Sequence, residues 1–181
     1  MIEFSITVYI FGATKIVRFM KKAIALIFIA LCMQVVFAQD DKKSEKIYDP
    51  TRNAAADVAD AVKKAQSSGK NVLIQVGGNW CPWCIRVHKF MAEEPEVAKA
   101  LADGYVFLLV NYSKENKNEE VLRMLKNPSR FGFPVFVVLD GAGNVIHIQD
   151  SGYLEEGKTY SKEKLLRFLK LWTVDAISGK K

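Results

Sequence analysis

Cysteine is scarce in this 181-residue chain, three in all, and histidine scarcer still, with two. Its 11 glycines and 5 prolines follow no period, and no segment recurs at a fixed spacing. These absences exclude a collagen-like rod and a solenoid. Charged residues make up 25% and aromatic residues 11%, which argues against disorder. No apolar run reaches the roughly 20 residues of a membrane span, because Lys15, Arg18, Lys21 and Lys22 interrupt the N-terminal ones. The length leaves one cored domain, or at most a small pair.

Residues 1–38 differ from the rest. From Met20 the chain runs through Lys21-Lys22, an uncharged stretch from Ala23 to Phe37, and Val36-Phe37-Ala38 before Gln39-Asp40-Asp41. That is the order of an export signal: basic start, apolar middle, small-residue cleavage site. Cleavage after Ala38 is expected, with the residues before Met20 reflecting an upstream start; retention as an anchor, lengthened by Ile2 to Phe11, is the alternative. Leu31 occupies the place before Cys32 where a lipoprotein needs a small residue.

Removing the signal takes away Lys15, Arg18, Lys21, Lys22 and Glu3, and leaves 143 residues with 22 basic and 19 acidic side chains. The basic balance thus belongs mostly to the signal and to Lys180-Lys181. No basic stripe with interleaved aromatics remains, so a nucleic-acid partner is not expected. Cys32 leaves with the signal as well. An exported chain whose remaining cysteines, Cys81 and Cys84, stand three apart is not a disulfide-stapled scaffold, and the pair serves chemistry or a metal.

Gln39 to Ile47 is polar and reads as a flexible linker, with the fold beginning near Tyr48 and running to about residue 177, before a short tail at 178–181. Ala55, Val58, Ala59, Val62 and Ala65 recur at helical spacing before Gly69. Val72 to Val76 reads as a strand, and a helix opening at Cys81-Pro82-Trp83-Cys84 runs to Glu93-Glu94-Pro95, followed by a short turn through Leu101. Tyr105 to Val110 is a second strand, and Glu119 to Lys126 a helix ended by Asn127-Pro128. Pro134 to Leu139 and Val145 to Gln149 flank a glycine-bearing loop as a hairpin. Leu165, Leu166, Phe168, Leu169 and Trp172 mark the inner face of a last helix. Strands alternating with helices predict an α/β fold with a central mixed sheet covered on both faces and an antiparallel hairpin edge.

The cysteine pair falls between a strand end and a helix start. There Cys81 can act as an N-cap whose sulfur accepts from the amide of Cys84, while Pro82 at the first helical position has no amide to leave unpaired. The helix dipole favours a thiolate at that place, which predicts Cys81 as a nucleophile with a pKa below the free value of about 8.5. Cys84, one turn in, is the expected resolving thiol. Cys81, Cys84 and His88 could instead contribute three metal ligands, but a structural zinc site wants four, and only His147 is left to complete it.

At Trp80-Cys81-Pro82-Trp83-Cys84 the sequence resembles the thioredoxin-like superfamily, and the resemblance runs from about Tyr48 to Trp172. The stretch from Ala61 to Met91, and the ending Gly152-Tyr153-Leu154-Glu155 followed by Leu165 to Trp172, are similar to exported bacterial members. The resemblance implies a thioredoxin fold and a redox-active Cys81-Cys84 disulfide with no other cofactor. It matches Phe133-Pro134 to the family's cis-proline position, implying that Pro134 lies beside Cys81 and that the backbone of Phe133 pairs with an extended substrate strand. Trp83, Phe133, Pro134 and Gly152 are then substrate-facing, Tyr153 could join Gly152 opposite Pro134, and Trp80 and Pro82 support the site. Trp80 is expected to pack and Trp83 to face partners, with Trp172 in the core. Gly77 and Gly78 serve either close backbone approach or a simple turn.

One departure stands out: many thioredoxins hold a buried Asp six residues before the first cysteine, and here Gln75 occupies that place. An amide exchanges no proton, so help for Cys84 would have to come from water, Glu93, Glu94 or His88. The expectation is a monomeric, exported or periplasmic thiol-disulfide oxidoreductase that reduces or isomerises disulfides of exported proteins, with a membrane thiol electron donor as a further partner. A dithiol oxidase using the same site, and a thioredoxin-like metallochaperone or binding module, are the alternatives.

Overall fold

The computed structural model describes residues 46–179. The expected export signal, its cut after Ala38, Cys32, most of the linker and the Lys180-Lys181 end lie outside the described residues. Ile47 already packs against Tyr48 and the cysteine pair, so the ordered core begins one residue earlier than expected.

Helix α1 spans Ala54–Ser68, opened by Asn53, whose side chain accepts from the amide of Ala56, and closed by Gly69 at φ 64°. The buried face is Ala54, Val58, Ala61 and Ala65, so Ala61, and not Ala55 or Ala59, carries the stripe. Strand β1 (Asn71–Gly77) is buried along its whole length. Helix α2 covers Pro82–Glu93 and α3 covers Pro95–Gly104, where a short turn was expected. Pro95 removes one helical amide and breaks α2, but it also pre-sets the first turn of α3, so one proline both stops and restarts the helix.

Strand β2 (Tyr105–Asn111) and a short α4 (Glu119–Met124) follow. The expected helix to Lys126 ends early because Lys126 and Asn127 adopt left-handed backbone, at φ 64° and 50°. After a 3-10 turn at Pro128–Phe131 come β3 (Val135–Leu139) and β4 (Val145–Asp150). A second 3-10 turn, Ser151–Leu154, leads to the two-residue strands β5 (Glu155–Glu156) and β6 (Thr159–Tyr160). The described chain closes with α5 (Lys162–Leu171) and α6 (Val174–Ser178).

The main sheet has the order β2-β1-β3-β4, with β1 parallel to β2 and antiparallel to β3, and β4 antiparallel to β3. It is mixed, as expected, with two antiparallel joints. One face packs on α1 and α4 through Val58, Ala65, Val72, Ile74, Leu122 and Val137. The other packs on α2, α3 and α5 through Leu73, Val87, Val97, Phe136, Leu165 and Leu169. Burial on both faces explains why β1 and β3 read as continuous apolar runs. Trp172 is half-buried and stacks on His147 at 4.1 Å, at the border of the core. Among the described residues no helix is long and apolar enough to cross a membrane.

Candidate active site

Strand β1 ends at Gly77, and α2 begins five residues later at Pro82. Cys81 is the N-cap: its backbone is extended, and its sulfur accepts from the amide of Cys84 at 3.1 Å. Pro82 occupies the first helical turn, as the spacing predicted. Cys81 and Cys84 form a disulfide with Cα atoms 5.2 Å apart, within the usual range for such a bond. Cys81 is 4% exposed and Cys84 fully buried, so an incoming thiol reaches Cys81 first.

The aromatic side chains packed with the pair are Tyr48, Trp83 and Phe133. Phe133 packs against the cluster of Tyr48, Cys81 and Cys84. Its ring stacks on Tyr112 at 4.6 Å and meets the edge of Trp80 at 5.5 Å. The bond from Phe133 to Pro134 is cis. Register pairs Val135 with Asp150, which brings the start of β3 beside the turn holding Gly152 and Tyr153. Gly152 donates its amide to the Asp150 carboxylate at 2.8 Å, and Tyr153 is 76% exposed. Phe133, Pro134, Gly152 and the cysteines therefore belong to one end of the sheet.

The two tryptophans exchange their expected places. Trp80 is 55% exposed, held by its ring nitrogen donating to the Tyr112 carbonyl at 2.6 Å and by its edge-on contact with Phe133. Trp83 is half-buried, edge-on to Tyr160 at 5.5 Å and covered by the Arg86 guanidinium at 4.5 Å. The helix explains this: the position after Pro82 turns toward β6, whereas the residue before Cys81 remains on the loop. Trp80 also lines a cleft of about 760 Å³ with Tyr48, Pro50, Asn79 and Tyr112.

Gly77 settles its two readings in favour of close approach. A Cβ there would stand 2.5 Å from the Cys84 sulfur and 2.7 Å from the Tyr48 hydroxyl. At Gly78 it would stand 2.5 Å from the Tyr112 carbonyl oxygen. The backbone can pass the disulfide only without side chains.

Gln75 is fully buried beneath the pair, where its amide nitrogen donates to the Tyr48 hydroxyl oxygen at 2.5 Å and to the Cys84 carbonyl at 3.0 Å. Tyr48 was not among the predicted site residues. It lies 33 positions before Cys81, and no local motif ties it to the cysteines. Its neighbour Asn79 could have hinted at the link: Asn79 accepts from the Tyr48 amide at 2.9 Å and donates to the Tyr48 carbonyl at 2.7 Å. Burial holds the pKa of Tyr48 well above the ordinary tyrosine value.

Neither suggested carboxylate reaches the pair. Glu93 and Glu94 follow Cys84 by nine and ten residues, about 13 Å or more along the axis of α2. Glu93 is exposed and Glu94 faces Lys162 at 3.9 Å. His88 stacks on Phe107 with ring centres 6.0 Å apart. Among the described residues no three His, Cys, Asp or Glu side chains are grouped to hold a metal ion, and His147 is engaged with Trp172 and Gln149.

A mixed sheet between helices, with a cysteine pair at the start of the helix after its first strand and a cis-proline at the same end of the sheet, defines a thioredoxin fold carrying a site able to exchange disulfides. A family model described as Thioredoxin-like matches residues 53–141. It is 33% identical over 96 residues to the thiol:disulfide interchange protein DsbD of Cronobacter sakazakii, covering 53% of this chain and 16% of that protein. To DsbD of Escherichia coli K12 it is 32% identical over 78 residues, or 43% of this chain and 13% of the relative. The chain thus matches under a fifth of the length of these relatives. Among solved structures, a disulphide isomerase from Xylella fastidiosa superposes with a TM-score of 0.62 at 21% identity, covering 70% of this chain and 95% of that one.

Proposed function

We propose that this protein is an exported thiol-disulfide oxidoreductase that reduces or isomerises disulfides in other exported proteins. The observation that carries the reading is the capped disulfide: the sulfur of Cys81 accepts a helix-start amide and is the more accessible of the two. In the reduced protein that environment favours the Cys81 thiolate, the form that attacks a disulfide. The attack forms a mixed disulfide and releases one substrate thiolate. Cys84 then attacks the Cys81 sulfur, closing the disulfide seen here and releasing the second substrate thiolate.

The groove formed by Phe133, Pro134 and Gly152 would hold an extended substrate segment by backbone pairing, with Trp80 rather than Trp83 as the exposed aromatic contact. Oxidised enzyme needs re-reduction, for which a membrane thiol donor fits the named role of the interchange relatives. Export and a periplasmic site of action rest on the signal-like residues 1–38.

Equilibration of the purified protein with glutathione buffers decides the direction. A reduction potential near −270 mV supports a reductant, whereas one near −120 mV makes it a dithiol oxidase and overturns the proposed direction. The substitution Cys81→Ser should abolish turnover of a disulfide-bonded protein substrate; unchanged turnover would overturn the reading as a whole.

A further inference from the structure

We infer that Tyr48 is the hydrogen-bond donor to the Cys84 sulfur during opening and closing of the disulfide, a role made available by Gln75. The inference rests on the exchange chemistry proposed above, and it begins with the direction in which the buried amide of Gln75 points. A backbone carbonyl can only accept, so the group facing the Cys84 carbonyl at 3.0 Å must be the amide nitrogen. The same nitrogen lies 2.5 Å from the Tyr48 hydroxyl oxygen. That oxygen is therefore an acceptor toward Gln75, and its own proton is left for a different partner.

The Cys84 sulfur stands nearby. The Tyr48 hydroxyl and the Cys84 sulfur both approach the point where a Cβ on Gly77 would stand, at 2.7 Å and 2.5 Å, so they are neighbours across a glycine that leaves the space open. Tyr48, Cys81 and Cys84 form one buried cluster. The ring is held rather than merely present, because Asn79 clamps its backbone with two reciprocal hydrogen bonds. Gln75 pays for this arrangement with its own amide oxygen, which is buried and has no hydrogen-bond partner. Leaving a buried acceptor unsatisfied is unfavourable, which sets the orientation of this amide apart from a neutral packing choice.

The chemistry follows from these positions. When an external thiolate attacks Cys81, a new sulfur–sulfur bond forms there, the Cys81–Cys84 bond breaks, and its electron pair departs on Cys84 as a thiolate. The Tyr48 hydroxyl donates a hydrogen bond to that charge as it develops, and keeps its proton, since burial disfavours the phenolate. In the reverse step the same bond holds Cys84 in its nucleophilic form until it attacks Cys81. A hydroxyl that donates without ionising thus stands where a proton-exchanging carboxylate would otherwise serve, with Gln75 and Asn79 as its positioning residues.

The test needs no protein substrate. In a Cys81→Ser background Cys84 is the only thiol of the described residues, and its ionisation is followed by thiolate absorbance against pH, with and without Tyr48→Phe. Loss of the hydroxyl should lower the Cys84 thiolate fraction at neutral pH about tenfold, and slow the opening of the wild-type disulfide by dithiothreitol by a similar factor. Asn79→Ala, which keeps the hydroxyl but loosens its hold, should shift the same curve in the same direction by less, and serves alone if Tyr48→Phe does not fold. Superimposable titration curves in folded proteins overturn the role of Tyr48. Failure of the wild-type protein to act on any protein disulfide, with the titration shift intact, would instead overturn the proposed function and leave this assignment standing.

Discussion

The amide of Cys84 donates to the sulfur of Cys81 at 3.1 Å, so the two cysteines are joined by a capping hydrogen bond as well as by the disulfide. Reduction removes the second link and keeps the first, which strengthens once its acceptor is charged. The start of α2 adds its dipole to the same sulfur, whereas Cys84 lies within the helix and is fully buried. In the reduced protein, Cys81 should be alkylated by iodoacetamide with an apparent pKa below about 8.5 and Cys84 far more slowly. Cys84→Ala should accumulate mixed disulfides through Cys81, and Cys81→Ala should not. Mass spectrometry across a pH series checks this, and equal labelling of both thiols would contradict the assignment of the nucleophile.

Gly77→Ala should damage the site from beneath. The added methyl would stand 2.5 Å from the Cys84 sulfur and 2.7 Å from the Tyr48 hydroxyl, both held in place by other bonds. Overpacking of this kind costs about 1–3 kcal/mol, enough to lower the melting temperature by several degrees. Gly152→Ala makes the comparison: its nearest neighbour is the end of the Asp150 side chain at 3.2 Å, which can move. A Gly77→Ala protein that melts with wild type would show that the loop yields freely.

Phe133→Ala should separate substrate binding from sulfur chemistry. The ring fills the space between Tyr112 and Trp80, and its backbone precedes the cis-proline. Its removal should raise KM for a protein disulfide while leaving the rate with dithiothreitol within about twofold, since the hydrogen bond that caps Cys81 comes from the Cys84 amide and not from the ring. Equal losses with both reagents would mean that the ring supports the cysteines and not the groove.

Much of this arrangement was legible because it is local. The capping of α2 by Cys81 and the stop at Gly69 follow from neighbours within a few positions, where spacing and turn chemistry decide, and the mixed sheet follows from the order of strands and helices. Pro134 was placed by resemblance, and its isomer became visible only in three dimensions. The errors share one cause. Trp80 precedes the first cysteine and Trp83 stands between the two, and which of them is covered depends on Arg86, in the next helical turn, and Tyr160, in a distant strand. Tyr48 went unseen because its partner Gln75 is 27 residues away and reads as an ordinary strand residue. An amide in a fully buried strand was still a signal, since a polar group there must bond to something.

The alkaline limb of the stability curve tests the burial of Tyr48 together with that of two other tyrosines. Burial raises the pKa of Tyr48, Tyr105 and Tyr160 above the ordinary value of about 10. Tyr105 donates its hydroxyl to the Leu169 carbonyl at 2.6 Å, and Tyr160 lies 3.5 Å from the Trp83 carbonyl. An unfolded chain releases these protons near pH 10, while the folded protein keeps them to higher pH. Below about pH 10 both states are protonated and the contribution is fully present; above it the unfolded state binds fewer protons, so stability falls as pH rises. Denaturant midpoints should therefore drop steeply between about pH 9.5 and 11.5, and Tyr48→Phe should flatten the slope by its share. Absorbance of phenolate near 295 nm provides the matching observation: three tyrosines should ionise only as the protein unfolds. If all of them titrate near pH 10 in folded protein, Tyr48 is open to solvent and unsuited to hold a proton against Cys84.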